Sequence, residues 1–225
     1  MKTKFKIFLI ISSIVFILEL IVLVKLLFFR SYDYTTIDLT GIEKVMIVAH
    51  PDDETIWGGA HLLEDNYLVV CITCGENRKR TEEFKKVMKE SKNKYIMLNY
   101  PDRIKGRRDN WQTSKPLIIE DIEKILSLKE FDLIVTHNPK GEYGHVHHII
   151  TSSIVTYLSP KEKLIYFGKY YTKKKSESNL LPKISDELLE EKLKLISIYK
   201  TQGFIENAFV QMFPYENWVS YKEWN

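Results

Sequence analysis

From Lys44 onward, short apolar runs alternate with longer stretches of helical periodicity, and this alternation predicts the fold. Strands are expected at Lys44–Ala49, Leu68–Thr73, Tyr95–Leu98, Leu133–Thr136 and Leu164–Phe167. Helices are expected at Glu54–Asp65, Thr81–Lys92, Pro116–Leu128, His145–Leu158 and Asp186–Lys200. Strands separated by single helices predict an α/β domain, with a mostly parallel sheet covered by helices on both faces. Ligands in such sheets gather beyond the carboxyl ends of the strands. The polar stretch Lys173–Asn179 reads as a solvated loop, and the chain holds no internal repeat.

The N-terminus follows a different pattern. Lys2, Lys4 and Lys6 precede Ile7–Val24, an apolar run interrupted by Ser12, Ser13 and Glu19, and Lys25 and Arg30 follow. That length predicts one N-terminal transmembrane helix. The bulky exit, Ile21 to Phe29, offers no small-residue cleavage site, which favours an uncleaved anchor over a signal peptide. The three leading lysines favour a cytoplasmic N-terminus and a globular domain on the extracytoplasmic side. Glu19 either pairs within the bilayer or is tolerated there. The expected organisation is an anchor at 1–30, a polar tether at 31–43 and a globular domain at 44–225.

Composition narrows the class. A chain of 225 residues, 44% of them hydrophobic, builds a proper core without a disulfide scaffold. Its 33 basic and 30 acidic residues leave a net charge of +3, which argues against a nucleic-acid partner. Cys71 and Cys74 close an apolar run, and three residues apart on a strand they face opposite ways, so two inert thiols are expected.

Two clusters carry the chemistry. Val48-Ala49-His50-Pro51-Asp52-Asp53-Glu54 follows the first strand, and Gly141-Glu142-Tyr143-Gly144-His145-Val146-His147-His148 comes shortly after the fourth. Imidazoles and carboxylates gathered at strand ends suit a borderline metal such as zinc, and a spare carboxylate nearby can serve as a base. Helix capping accounts for one or two of the acids at 52–54, but not for His50 or the second cluster. If a helix begins near Gly144, His145 and His148 share a face and His147 is offset, so at most two of the three serve one site. His61 and His137 read as structural.

Ala49-His50-Pro51-Asp52-Asp53-Glu54, paired with Gly144-His145-Val146-His147-His148, resembles the PIG-L/LmbE-like family of zinc-dependent de-N-acetylases. The resemblance runs from about Lys44 to Gln202. It implies a Rossmann-like α/β fold and removal of acetyl groups from N-acetylglucosamine-type sugars, here in a glycolipid or surface polysaccharide. It also implies Zn2+ held by His50, Asp53 and His148, with Asp52 as general base. His145 would face the oxyanion or protonate the leaving amine, Tyr143 would reach the tetrahedral intermediate, and Arg80 would bind substrate. For Arg80, a solvated surface position is an equal alternative. Relatives often read His-Pro-Asp-His where this chain has His145-Val146-His147-His148, so the usual carboxylate is replaced by an imidazole. The aromatic tail, Phe204 to Trp224, suits either sugar stacking or core packing. The rival readings are a metal-dependent hydrolase of another amide and a membrane-tethered carbohydrate-binding module without turnover.

Overall fold

A computed structural model describes residues 2–28, 34–172 and 180–224. The expected loop at 173–179 and part of the expected tether lie outside the described residues. By internal contacts the chain divides into Met1–Thr36 and Ile37–Asn225. The first unit carries helix α1 (Lys2–Phe28). Among the described residues no helix is long and apolar enough to cross a membrane. The expected transmembrane anchor, and the extracytoplasmic placement built on it, are therefore corrected. Lysines at positions 2, 4, 6 and 25 bound the apolar stretch of α1, and Ser12, Ser13 and Glu19 interrupt it.

The second unit is built, in chain order, from β1 (Lys44–Val48), α2 (Asp53–Glu64), β2 (Tyr67–Thr73), α3 (Arg78–Glu90), β3 (Lys94–Tyr100) and a hairpin of β4 (Arg103–Ile104) and β5 (Arg107–Arg108). Then follow α4 (Lys115–Leu126), β6 (Leu133–Thr136), α5 (Gly141–Gly144), α6 (Val146–Leu158), β7 (Leu164–Tyr166), α7 (Asp186–Ile196), α8 (Ile205–Phe209), β8 (Val219–Ser220) and α9 (Tyr221–Trp224). The main sheet runs β3-β2-β1-β6-β7-β8, parallel except for the antiparallel edge strand β8.

Continuous apolar sequence is the mark of strands buried on both sides, and β2 is buried at every position. Met46, Val48, Val69 and Cys71 face one core cluster with Trp57, Phe84, Leu195 and Phe213. The alternating residues Val45, Ile47, Leu68 and Val70 are equally buried, so both faces of the sheet are covered. A buried ion pair joins the helices of one layer to the tail. Lys192 of α7 lies 2.7 Å from Glu216, whose carboxylate also accepts the Ala60 N–H and bonds His61 Nδ1 at 2.6 Å.

The chain order reverses between β1 and β6, which are neighbours although far apart in sequence. At such a switch point the loops leaving the two strands diverge and open a crevice at their carboxyl ends. The loop after β1 carries His50 as its second residue, and the loop after β6 begins with His137.

Candidate active site

The loop from β1 to α2 holds its backbone in a conformation that its residues would not choose alone. Asp52 sits at φ 123°, a region costly for any side chain with a Cβ. Its neighbours over-determine it. Its own N–H donates to Glu54 Oε2, its carbonyl accepts from Thr55 and Ile56, and the preceding Pro51 carbonyl accepts from Gln202 Nε2 and Arg80 Nη2. Glu54 is in turn held by the Thr55 and Tyr199 hydroxyls. Asp52 stands at the N-terminal boundary of α2, yet its side chain makes no capping bond. Capping therefore does not explain this carboxylate, which faces the cavity instead.

Asp53 turns the other way. Its Oδ2 accepts the His50 N–H at 2.8 Å and lies 3.1 Å from His50 Nδ1, while Oδ1 lies 3.2 Å from His148 Nε2. His148 Nε2 and His50 Nδ1 are 3.3 Å apart. Three donor atoms, from the first helix start and from α6, thus converge on one point. Zinc bonds of about 2.0–2.1 Å place tetrahedral donors roughly 3.3 Å apart, so the spacing fits that ion.

The proton inventory agrees. Glu142 Oε2 lies 2.6 Å from His148 Nδ1, which places that ring's proton on Nδ1 and leaves a lone pair on Nε2. A lone pair and a carboxylate facing each other without an intervening proton call for a cation, and this donor set fits a metal. Two other triads of possible ligands, His50–His145–His147 and His137–Glu142–His148, overlap this one. Their atoms are engaged with each other or with backbone groups.

His137, read from sequence as structural, belongs to this centre. It lies 3.0 Å from Glu142 Oε2 and 3.4 Å from Asp53, and stacks on His148 with ring centres 3.8 Å apart. Burial opposes a charge on it, but Glu142 and Asp53 outweigh burial and lift its pKa to about 9. Against that pull, its Nε2 accepts the Ala49 N–H at 3.0 Å, a bond that only a ring unprotonated at Nε2 can make, while Nδ1–H is directed to Glu142.

The adjacent acids are driven apart. Burial opposes charge on both, yet His148 and His137 hold Asp53 well below the usual carboxylate range. Burial and the Asp53 charge push Asp52 well above it, against the pull of Arg80. Neighbouring carboxyls in opposed environments are suited to different tasks.

The helix expected to start near Gly144 starts at Val146, with His145 as its N-cap. His145 Nδ1 accepts the His147 N–H, so its proton sits on Nε2. Burial, then the nearby His148 and His50, hold His145 far below the ordinary imidazole pKa, so the ring is neutral. Tyr143 comes from the kinked turn α5, where Glu142 takes φ 53°, and its ring centre is 5.8 Å from that of His145. The sequence allowed at most two of His145, His147 and His148 to serve one site. Because His145 caps the helix rather than extending it, His147 also reaches the centre, 3.0 Å from His50 Nε2. Burial and His50 lower the His147 pKa to about 4.

Arg80 lies in the cavity wall rather than on the surface, donating to Pro51 O, Gln202 Oε1 and Cys74 Sγ. Cys71 and Cys74 are free thiols whose pKa values burial raises. The cavity, about 210 Å³, is lined by His50, Asp52, Asp53, Arg80, Tyr143 and His145. Asp102, Arg103 and Arg108 of the hairpin region, with Thr201 and Gln202, complete it without having been foreseen, and Phe204 and Phe209 of the aromatic tail also line it. Of the tail aromatics, Phe204 and Phe209 reach the cavity, Phe213 and Tyr215 are buried, and Trp218 stacks on His61.

Residues 45–159, just over half of the chain, match the family model described as "GlcNAc-PI de-N-acetylase". The chain belongs to the PIG-L family. Both clusters fall within the matched PIG-L segment, whereas Gln202 and the tail aromatics lie beyond it. Two curated relatives also match. An uncharacterized protein of Acanthamoeba polyphaga mimivirus, L374, is 29% identical over 56% of this chain and 61% of its own length. The 1D-myo-inositol 2-acetamido-2-deoxy-alpha-D-glucopyranoside deacetylase of Corynebacterium diphtheriae is 26% identical over 52% of each. The chain thus spans between half and two thirds of these relatives. Two solved deacetylases share the fold. The A40926 pseudoaglycone deacetylase Dbv21 has a TM-score of 0.59 at 17% identity, over 76% of this chain and 88% of its own. A zinc-inhibited form of teicoplanin deacetylase Orf2 has a TM-score of 0.56 at 12% identity, over 75% and 88%.

Proposed function

We propose that this PIG-L family protein is a zinc-dependent de-N-acetylase acting on an N-acetylglucosamine-type sugar, within a glycolipid or a surface polysaccharide. The observation that carries the reading is the convergence of His50 Nδ1, Asp53 and His148 Nε2 within 3.1–3.3 Å of one another, with an unbonded Asp52 carboxylate beside them. Family membership and the activity printed for the Corynebacterium relative support it.

His50, Asp53 and His148 would hold the ion. When bound, zinc supplies Lewis acidity toward an acyl oxygen and brings the pKa of water toward neutrality. The residues of the chain do the rest. Asp52, the acid with the raised pKa, takes the proton of the attacking water and is placed to return it to the leaving amine. His145, neutral with its proton on Nε2, donates a hydrogen bond to the oxyanion that develops on the amide carbonyl. Its strongly lowered pKa favours this role over that of general acid. Tyr143, whose hydroxyl is held protonated by burial and the nearby acids, adds a second donor. Arg80 ties the Pro51 carbonyl to Gln202 and keeps Asp52 in its strained geometry. A cavity of about 210 Å³ is smaller than the roughly 300–1,000 Å³ of sites for drug-sized ligands, which suits one sugar unit with its acetamido group.

Metal content and amine release, measured together on the full chain with a panel of N-acetylglucosamine conjugates, test the proposal. Zinc near one per chain and chelator-sensitive release of acetate and amine are expected. Zinc without release from any member would shift the reading to another amide, and a chain that takes up no metal would overturn it.

A further inference from the structure

The side chain of His147 is used by no step above, yet it is fully buried and its contacts run directly to a ligand of the site. Its Nε2 lies 2.6 Å from the backbone carbonyl of Asp109. A carbonyl can only accept, so Nε2 carries the proton and Nδ1 presents a lone pair. That lone pair faces His50 Nε2 at 3.0 Å. His50 must then donate from Nε2, which places its own lone pair on Nδ1, the atom that faces Asp53 and His148. Asp102 Oδ1, the other acceptor near His50 Nε2, is 3.6 Å away and already receives Arg108 Nη1 at 2.9 Å. At 3.6 Å it makes no hydrogen bond.

The ring is also held in place. Trp111 stacks on it with centres 4.0 Å apart and planes within 3° of parallel. Trp111 is itself fixed by its Nε1–H on the Pro101 carbonyl, and its N–H on Asp109 Oδ1.

We propose that His147 is a positioning residue for the metal centre, a neutral imidazole relay that sets the tautomer and ring orientation of His50 through a fixed chain from the Asp109 carbonyl. The proposal rests on His50 being a metal ligand. An imidazole at this position does without a buried negative charge, so the centre keeps Asp53 as its one anionic ligand and a bound ion retains more of its charge. The relay also ties the metal centre to the loop that follows the β4–β5 hairpin, because the Asp109 N–H donates to the Asp102 carbonyl.

The test compares the wild-type chain with His147→Phe, which keeps a flat ring against Trp111 and removes the acceptor, and His147→Asn, whose Oδ1 takes the place of Nδ1. Zinc affinity is measured by competition with a chromogenic chelator. The tautomer of His50 is read in the metal-free protein from its ring ¹⁵N shifts. His147→Phe should weaken zinc binding by about 10–100-fold, the usual cost of losing such a partner, and His147→Asn should restore most of it. The His50 shifts should report Nε2–H in the wild type and in His147→Asn, and a mixture in His147→Phe. Should His147→Phe fail to fold, the wild-type and His147→Asn shifts still decide, because a His50 protonated at Nδ1 in either overturns the relay. Equal zinc affinity in wild type and His147→Phe overturns the relay alone. A wild-type chain that binds no zinc overturns the metal-site reading with it.

Discussion

Asp52 and Asp53 are chain neighbours with opposed surroundings, and the proposed division of labour between them rests on that contrast. Asp53 is held by two imidazoles and the His50 N–H, whereas Asp52 has a clamped backbone and an unbonded carboxylate. Asp53→Ala removes the one anion among the three donors, and zinc content should fall toward zero. Asp52→Asn keeps the shape and should retain zinc near one per chain while kcat falls by about 10²–10⁴, the range for a lost general base. Metal analysis and kinetics on the same preparations check both. Equal metal loss in the two variants would show that the roles are misassigned.

At the scale of elements, α2, α7 and the tail share one apolar cluster and are also linked by a buried ion pair. Glu216 receives Lys192, His61 and the Ala60 N–H, and Lys192 also donates to the Ile56 carbonyl. Burial opposes the Glu216 charge, but Lys192 and His61 prevail and bring its pKa down to about 2. A carboxyl with a depressed folded pKa contributes stability above its unfolded value, near 4.5, and loses it as pH falls toward 2. The unfolding free energy of the wild type should therefore drop with acid through that window. Glu216→Gln should be less stable than wild type at neutral pH by about 3–5 kcal/mol, because the Lys192 charge is left buried without its partner. Its stability should also depend less on pH between 4.5 and 2. Denaturant melts of both proteins at several pH values supply the comparison.

The same scale shows what was legible beforehand. All five expected strands and all five expected helices of the globular unit are present with ends shifted by a few residues, because long apolar runs and helical periodicity are local signals. The hairpin and β8 are two residues per strand, too short to carry a period. Asp102 and Gln202 reach the site only through tertiary placement, and no local pattern marks them, whereas Glu142 stood in the second cluster without a role of its own. His137 did carry a signal. It follows β6 as His50 closely follows β1, and neighbouring parallel strands bring both residues to one crevice. The N-terminal run predicted a membrane span, but among the described residues no helix is long and apolar enough to cross a membrane.

Across the whole molecule, the groups proposed to hold metal and move protons come from the segment matched by the PIG-L family, while part of the clamp on them comes from beyond it. Gln202 lies past the last parallel strand, yet its Nε2 donates to Pro51 O at 2.6 Å and its Oε1 accepts Arg80 Nη2 at 2.6 Å. Tyr199, just before it, bonds Glu54. Together they hold Asp52 at a backbone angle it would otherwise leave, and orientation of this kind contributes to rate rather than to metal affinity. Gln202→Ala removes the bond to the Pro51 carbonyl and the bond from Arg80 without touching a proposed ligand. It should lower kcat by about 10-fold or more, in keeping with the cost of a misplaced catalytic group, and leave the zinc dissociation constant within about twofold. Chelator competition and steady-state kinetics on the full chain separate the two effects. A loss of zinc affinity matching the loss of kcat would mean that the tail supports the ligands themselves, and that strain at Asp52 is not what it maintains.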